Sequence, residues 1–480
     1  MSNRTPKRWG RASLYVIFCL AISASALGQY SQYTYERLRS FDFATGSFPR
    51  AKLTEGSDGN LYGTTESGGS NGVGTVIKMK KDGTGFSVIL HFGFLSDDGK
   101  YPHASVIEGS DSVLYGTTYF GGTGERGIVF RINKDGTAYA VLHRFDSAAK
   151  DGTNPEAALV EGRDGKLYGT TVTGGPTPLG TVFRMNKDGT AYELIWNFGS
   201  IGGDGNGYYP IASLLEGSDG SLYGTTSSGG SAYRGTVFKV NKDGMGYAVL
   251  HSFQGQDVDG SQPESPLIEA SDGALYGTTR GGGVRTNATS GTVFRLNKDG
   301  TGYQILRTFE AGGSDGLDPW AGLAEGVDGM LYGTTYQGGS SNNVGTVFRL
   351  NKDGTAYSVI VSFLGTGGDG GKPHAALLVG SDGVLYGTTM VGGEFGYGTV
   401  FSIIPPQPAK LSLVRETNGL KRVTGIGSPS TAYAIQATEQ LTAPVWQALV
   451  TNIADIQGRF ELLDTNSVNY ESRFYRSVKQ

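Results

Sequence analysis

The pentapeptide Leu-Tyr-Gly-Thr-Thr occurs seven times, opening at Leu61, Leu114, Leu167, Leu222, Leu275, Leu331 and Leu385, with spacings of 53, 53, 55, 53, 56 and 54 residues. So steady a period restricts the chain to one supersecondary unit copied in series, each copy burying its apolar surface against the next. Every unit carries Pro-x-(Ala/Ser)-x-(Leu/Val) before the pentapeptide and Gly-(Thr/Ile)-Val-(Phe/Ile) after it. In the complete copies Lys-Asp-Gly and an apolar segment such as Tyr139 to Phe145 follow.

The apolar runs alternate with period two and are rich in β-branched and aromatic residues, and no stretch keeps a helical period. Four runs per unit predict four strands, A to D. In the second unit these lie near His103 to Glu108, Leu114 to Thr118, Gly127 to Asn133 and Tyr139 to Phe145. Ser-Asp-Gly between A and B, and Lys-Asp-Gly between C and D, have hairpin chemistry. Four antiparallel strands joined by Gly-rich turns make one propeller blade. The seventh unit runs from Val400-Phe401-Ser402 into Pro405-Pro406 without a strand D, whereas an orphan D-like strand, Tyr35 to Phe41, precedes the first strand A. The N-terminal strand is therefore expected to complete blade seven and close the ring without a free edge. The fold class read here is all-β: a seven-bladed β-propeller over residues 29–404.

The repeat motifs resemble those of the GloVer tandem-repeat proteins, whose unit carries the same Leu-Tyr-Gly-Thr-Thr, Gly-Gly and Gly-Thr-Val-Phe pattern. The resemblance covers about residues 34 to 404. It implies a surface or secreted repeat protein and brings no activity or catalytic residues with it.

Residues 1–28 read as a signal peptide: Arg4, Lys7, Arg8 and Arg11 precede an apolar run from about Leu14 to Ile22, then small residues to Gly28. The only cysteine, Cys19, lies in that run without a lipoprotein context, so the mature chain is expected to be cysteine-free and stabilised by packing rather than disulfides. Uncleaved, the segment would act as an anchor. Its removal leaves 36 basic residues (40 less 4) against 44 acidic ones, a charge of −8 that argues against nucleic acid as a partner. No later segment is apolar enough to span a membrane. A secreted, extracellular or bacterial cell-envelope monomer is expected.

Pro405-Pro406-Gln407-Pro408 reads as a linker over residues 405–410. Residues 411–480 carry alternating strands of their own and resemble the small immunoglobulin- or fibronectin-like β modules of secreted proteins, a β-sandwich serving in attachment or as a spacer.

No acid, base and nucleophile constellation is recognisable. Gly122 to Gly127 formally matches a dinucleotide fingerprint, but it links two antiparallel strands and opens no helix. His91, His143 and His251 are read as equivalent strand-D positions too far apart to share a metal. The seven Leu-Tyr tyrosines are read as wedges between neighbouring sheets. The A-to-B and C-to-D turns are uniform, while the D-to-A and B-to-C loops diverge and are free to serve recognition.

The sharpest signal follows the proline that opens strand A, where Arg50, His103, Glu156, Ile211, Glu264, Trp320 and His374 occupy one repeat position. A sevenfold core position would hold similar apolar residues. The mixed character predicts solvent contact at the channel mouth and an asymmetric ligand, or simply a tolerant water-filled channel. Tyr119 and Tyr336 join Trp320 as loop-proximal aromatics. Asp98, Asp151, Asp204, Asp259, Asp315 and Asp369 each precede a Gly in the D-to-A loop, and are weak calcium candidates or plain turn residues. No other cofactor is expected. The function favoured is a non-catalytic binding module for carbohydrate or another envelope polymer. A polysaccharide hydrolase or lyase with its site at the channel mouth, and an adhesion scaffold for a surface protein, are the alternatives.

Overall fold

A computed structural model of the chain describes residues 33–199, 204–255, 258–283, 289–310, 314–339 and 342–406, and most of residues 410–479. The segment read as a signal peptide lies outside them. Seven sheets with a four-stranded antiparallel core follow one another along the chain, and among the described residues no α-helix interrupts them. In the second sheet strands A to D are Ile107–Glu108, Leu114–Thr118, Ile128–Ile132 and Ala140–Arg144. Leu-Tyr-Gly-Thr-Thr is strand B in all seven and is buried throughout. Strand D of the seventh sheet is Thr34–Ser40, paired antiparallel to Thr399–Ile404 from Thr34↔Ile404 to Ser40↔Thr399, as the orphan strand predicts.

Strand A is shorter than its sequence suggests. The ladder covers only Ile107–Glu108, not His103 to Glu108. The preceding half is bonded sideways: Thr64 Oγ1 of the first sheet donates to the Ala104 carbonyl at 2.8 Å. The same threonine bond recurs at every junction and ends with Thr388 donating to Ala51 at 3.2 Å, joining the seventh sheet to the first. The second Thr-Thr residue turns the other way; Thr65 Oγ1 lies 2.8 Å from Thr75 Oγ1 within its own sheet.

Packing follows the same cycle. Seven apolar clusters each bridge two consecutive sheets, and the one holding Leu53, Leu61, Tyr386 and Val400 bridges the seventh and the first. The Leu-Tyr tyrosines are core, as expected: Tyr115 is 1% exposed, and its hydroxyl donates to Asp111 of the A-to-B turn at 2.7 Å. The Gly that opens strand C is required by the neighbouring sheet. At Gly127 (φ 95°) a Cβ would stand 2.6 Å from Pro155 Cδ, and at Gly398 it would stand 2.6 Å from Pro49 Cδ.

A polar girdle reinforces the junctions on the A-to-B turn side. Glu108 accepts from Ser57 N (2.6 Å) and Ser57 Oγ (2.7 Å) of the preceding sheet and pairs with Lys134 of its own C-to-D turn. The seventh-to-first junction repeats this with Ser381, Glu55 and Lys81.

On the other side the divergent loops are tied rather than loose. Gly99–Lys100 of a D-to-A loop pairs with Phe120–Gly121 of the following B-to-C loop, and equivalent two-residue pairings or single bridges occur at every sheet.

Beyond the repeats, Lys410–Arg415, Lys421–Ile426 and Arg459–Asp464 form one three-stranded sheet, and Gln447–Ile453, Ala432–Thr438 and Phe474–Lys479 another. They share a small core of Val423, Tyr433, Ile435 and Phe460. No helix among the described residues is long and apolar enough to cross a membrane.

Candidate functional site

The residue before each strand-A proline is left-handed, from Phe48 (φ 55°), Tyr101 (54°) and Asn154 (58°) to Lys372 (55°). The conformation is costly for a non-Gly residue. It recurs in all seven sheets because both backbone groups are used: Tyr101 N donates to Val73 O, and Tyr101 O accepts from Tyr119 N. The strain therefore belongs to the scaffold. It delivers the residue after each proline to a common cavity of ≈ 1070 Å³, whose lining includes Arg50, His103, Glu156, Ile211, Glu264, Trp320 and His374.

These seven residues are half-buried, and they line the cavity rather than project freely from the surface. The strands converge on one cavity, and their side chains meet across it. Arg50 reaches Glu156 two sheets away (3.1 Å), Glu66 (3.4 Å) and, in the other direction, His374 (3.5 Å). His103 lies 3.7 Å from Glu156 and stacks on Tyr119 at 4.5 Å between centroids. Arg280 covers Trp320 at 4.1 Å and stands 3.6 Å from Glu264. Trp320 in turn packs against His374 (4.6 Å) and Tyr336 (5.8 Å), with Lys372 over the Tyr336 ring. The structure thus gathers eight of the nine predicted residues into one contact network. Ile211 contributes only apolar lining.

Environment separates the two glutamates. Burial raises the Glu156 carboxyl, but His103 and Arg50 outweigh it and hold the group below its ordinary value. Burial dominates at Glu264, where the charges of Glu156 and Asp318 add to it against Arg280, and the carboxyl is pushed up to about 6. Burial and the Arg50 charge lower His374 to about 3, so its imidazole is neutral at ordinary pH. Among the described residues, His103 Nδ1 and Trp320 Nε1 have no hydrogen-bond partner.

The loop aspartates do not join this network. Asp98 accepts from Gly93 N, Phe94 N, Gly99 N and the Tyr139 hydroxyl. Asp151 binds His143 and Tyr192, Asp315 binds Arg307 and Tyr357, and Asp369 accepts from Tyr35. Asp259 is bound by His251 and by Gln254 N. Asp98, Asp151, Asp315 and Asp369 tie strand D of one sheet, or the loop after it, to strand D of the next, whereas Asp259 bonds within its own sheet and loop; all five do the structural work of turn residues. Asp204 is not their equivalent: two extra loop residues displace it, and Asn206-Gly207 takes the position, with the Asn206 carbonyl accepting from Tyr247. No group of three or more potential ligands gathers around one point among the described residues.

His91 is likewise not equivalent to His143 and His251. It pairs with Thr75 in the ladder, one register step away, and accepts from Ser70 N. Its partners are therefore on the opposite face. His143 and His251 instead stack on Tyr192 (3.8 Å) and Tyr303 (3.7 Å) of the next sheet.

The chain matches the Gloeobacter/Verrucomicrobia repeat over residues 26–217 and 209–426. It belongs to that family. Among solved structures, this Gloeobacter/Verrucomicrobia repeat chain is similar to a xyloglucanase of Xanthomonas campestris, at 12% identity and TM-score 0.50, over 83% of this chain and 60% of the other. It thus spans less than two thirds of that enzyme. It also aligns with a putative 6-phosphogluconolactonase of Bacteroides uniformis (14% identity, TM-score 0.44, 84% and 98% covered) and with an α-L-arabinanase of Penicillium chrysogenum complexed with arabinobiose (14%, 0.40, 65% and 95%). No curated protein matches it. The first likeness shows a β-propeller-like all-β fold.

Sequence reasoning missed Glu66, Arg280 and Lys372. Glu66, Tyr119, Arg280 and Tyr336 all follow Leu-Tyr-Gly-Thr-Thr directly, and the scatter of types there was the available signal.

Proposed function

We propose that the seven sheets are the blades of a closed seven-bladed β-propeller, followed by a small β-sandwich module. In this reading it is a secreted or cell-envelope protein that binds carbohydrate, as a monomer, at the ring of Arg50, His103, Glu156, Glu264, Trp320 and His374, flanked by Tyr119 and Tyr336. The observation that carries the reading is the contrast between scaffold and ring. Scaffold positions repeat in kind around the cycle, whereas the converging ring position holds two carboxylates, an arginine, two histidines and a tryptophan in mutual contact. Aromatic faces beside fixed carboxylates and cations suit a polyhydroxylated ligand, which stacks its apolar ring face and hydrogen-bonds at its edge. Binding to a glycan panel, measured by calorimetry on the chain and on Trp320→Ala, tests it. Binding that weakens at least tenfold in the variant is expected. Unchanged affinity in a folded variant would remove the ring as the site.

The two glutamates favour one second reading, a glycoside hydrolase. Glu156 is held below its ordinary value and Glu264 is pushed up to about 6, so that it keeps its proton in mildly acidic solution, the division of labour of a general acid and its partner carboxylate. Turnover of polysaccharide that is lost in both Glu264→Gln and Glu156→Gln would promote this reading over simple binding.

A further inference from the structure

Below the ring, the next side chains of strand A facing the cavity are Lys52 and, in the other sheets, Ser105, Ala158, Ser213, Pro266, Gly322 and Ala376. Six are small or apolar, and one is a long cation. On extended backbone, a two-residue step places Lys52 about 7 Å along the cavity from Arg50. Neighbouring cations are already paired: Arg50 with Glu66 and Glu156, Arg280 with Glu264, and Lys81 with Glu55 and Asp382.

Lys52 has no hydrogen bond and no carboxylate partner among the described residues, and it is open to the cavity. Its side chain is exposed at the cavity, and the protein around the cavity lowers its pKa through desolvation. An ammonium group with no counter-charge from the protein is free to pair with an anion in the cavity, and its small neighbours leave room for one. Glu55, the other acidic group lining that stretch, is occupied by Lys81 and Ser381.

We propose that Lys52 makes the cavity below the ring an anion site, which takes the carboxylate of an acidic saccharide whose sugar ring lies at Trp320. This rests on the carbohydrate reading and names its ligand class. The cavity, at ≈ 1070 Å³, has room for an oligosaccharide rather than a single small ion. The bound carboxylate supplies the counter-charge that the protein withholds, while Glu156 and Glu264 face the hydroxyls.

The test is calorimetry of the whole chain against three probes: a galacturonic acid oligosaccharide, the galactose oligosaccharide of equal length and linkage, and acetate. The acidic oligosaccharide is expected to bind at least tenfold more tightly than the neutral one. That preference should vanish in Lys52→Gln and survive in Lys52→Arg. Lys52→Gln should fold with an unfolding midpoint close to that of the parent, since Lys52 is exposed and makes no ion pair that the substitution removes. Equal affinity for acidic and neutral oligosaccharides, unaffected by Lys52→Gln, overturns the anion site and leaves the carbohydrate reading standing. Acetate binding as tightly as the acidic oligosaccharide, and depending on Lys52, overturns the saccharide class. If neither oligosaccharide binds, both the site and the reading beneath it fall.

Discussion

Phe41 and Phe43 stand two residues apart at the end of the N-terminal strand, yet the proposed closure of the ring assigns them opposite weights. Phe41 is 1% exposed, donates its backbone N–H to Gly398 O at 3.0 Å, and packs with Leu53, Leu61 and Ile77 of the first sheet and Tyr386 and Val400 of the seventh. Phe43 is 48% exposed. Truncating Phe41 to Ala withdraws roughly 120 Å² of apolar surface, about 3 kcal/mol at about 25 cal/mol per Å². The cavity left behind adds about 1 kcal/mol, for a total of about 4 kcal/mol. Phe43→Ala should cost under about 1 kcal/mol, as half-exposed side chains do. Equilibrium urea unfolding of the two variants measures the difference. A Phe41→Ala loss within about 1 kcal/mol of the Phe43→Ala loss would refute closure by this strand. Removing residues 29–42 altogether should expose the edge of Thr399–Ile404 and cause aggregation.

Tyr192→Phe should cost about 1.5 kcal/mol, because Asp151 loses a charge-assisted hydrogen bond, whereas Phe86→Tyr should gain nothing, because Thr45 replaces the aspartate in that loop; thermal unfolding of the two separates these outcomes. Glu264→Gln should be the more stable form at pH 7, by about 2 kcal/mol. The folded pKa of about 6 lies above the ordinary 4.5, so the parent loses stability as pH rises through that window, and the two proteins should converge near pH 4 in denaturant midpoint.

The repeat, its strand-forming segments and the closing strand were legible because each rests on local chemistry: alternation, Asp-Gly turns, a missing Lys-Asp-Gly. Registers across insertions were not. Counting back from Leu222 by the interval that separates Asp151 from Leu167 gives Asn206, but the loop's own Asp204-Gly205 imitates the motif two residues early. His91 was aligned by its residue type, whereas its distance to Phe92 is one residue shorter than that from His143 to Phe145. The ring positions were found because their types scatter, yet their contacts with one another were missed. Whether Arg50 reaches Glu156 depends on the radius at which seven strands converge, and no single repeat contains that length.

The junction between the sixth and seventh sheets shows that the same closure is written into the surface chemistry. At the other six junctions a glutamate of one sheet accepts from the A-to-B turn of the preceding sheet and pairs with the lysine of its own C-to-D turn. The seventh sheet has no C-to-D turn, since its strand D comes from the N-terminus, and so it has no such lysine. A glutamate there would keep its desolvation cost and lose its cation. At that junction the glutamate position is Val379, and the serine position facing it is Val327. All three members of the polar set are replaced together, at the only junction where one of them is topologically unattainable. Elsewhere the set loses a single hydroxyl, at Arg163 of the third sheet, whose backbone N–H still donates to Glu216, whereas random drift would scatter complete losses around the cycle. Their coincidence with the sheet whose strand D is Thr34–Ser40 sets a second feature of the chain beside the pairing of that strand with Thr399–Ile404, and both support the proposed ring.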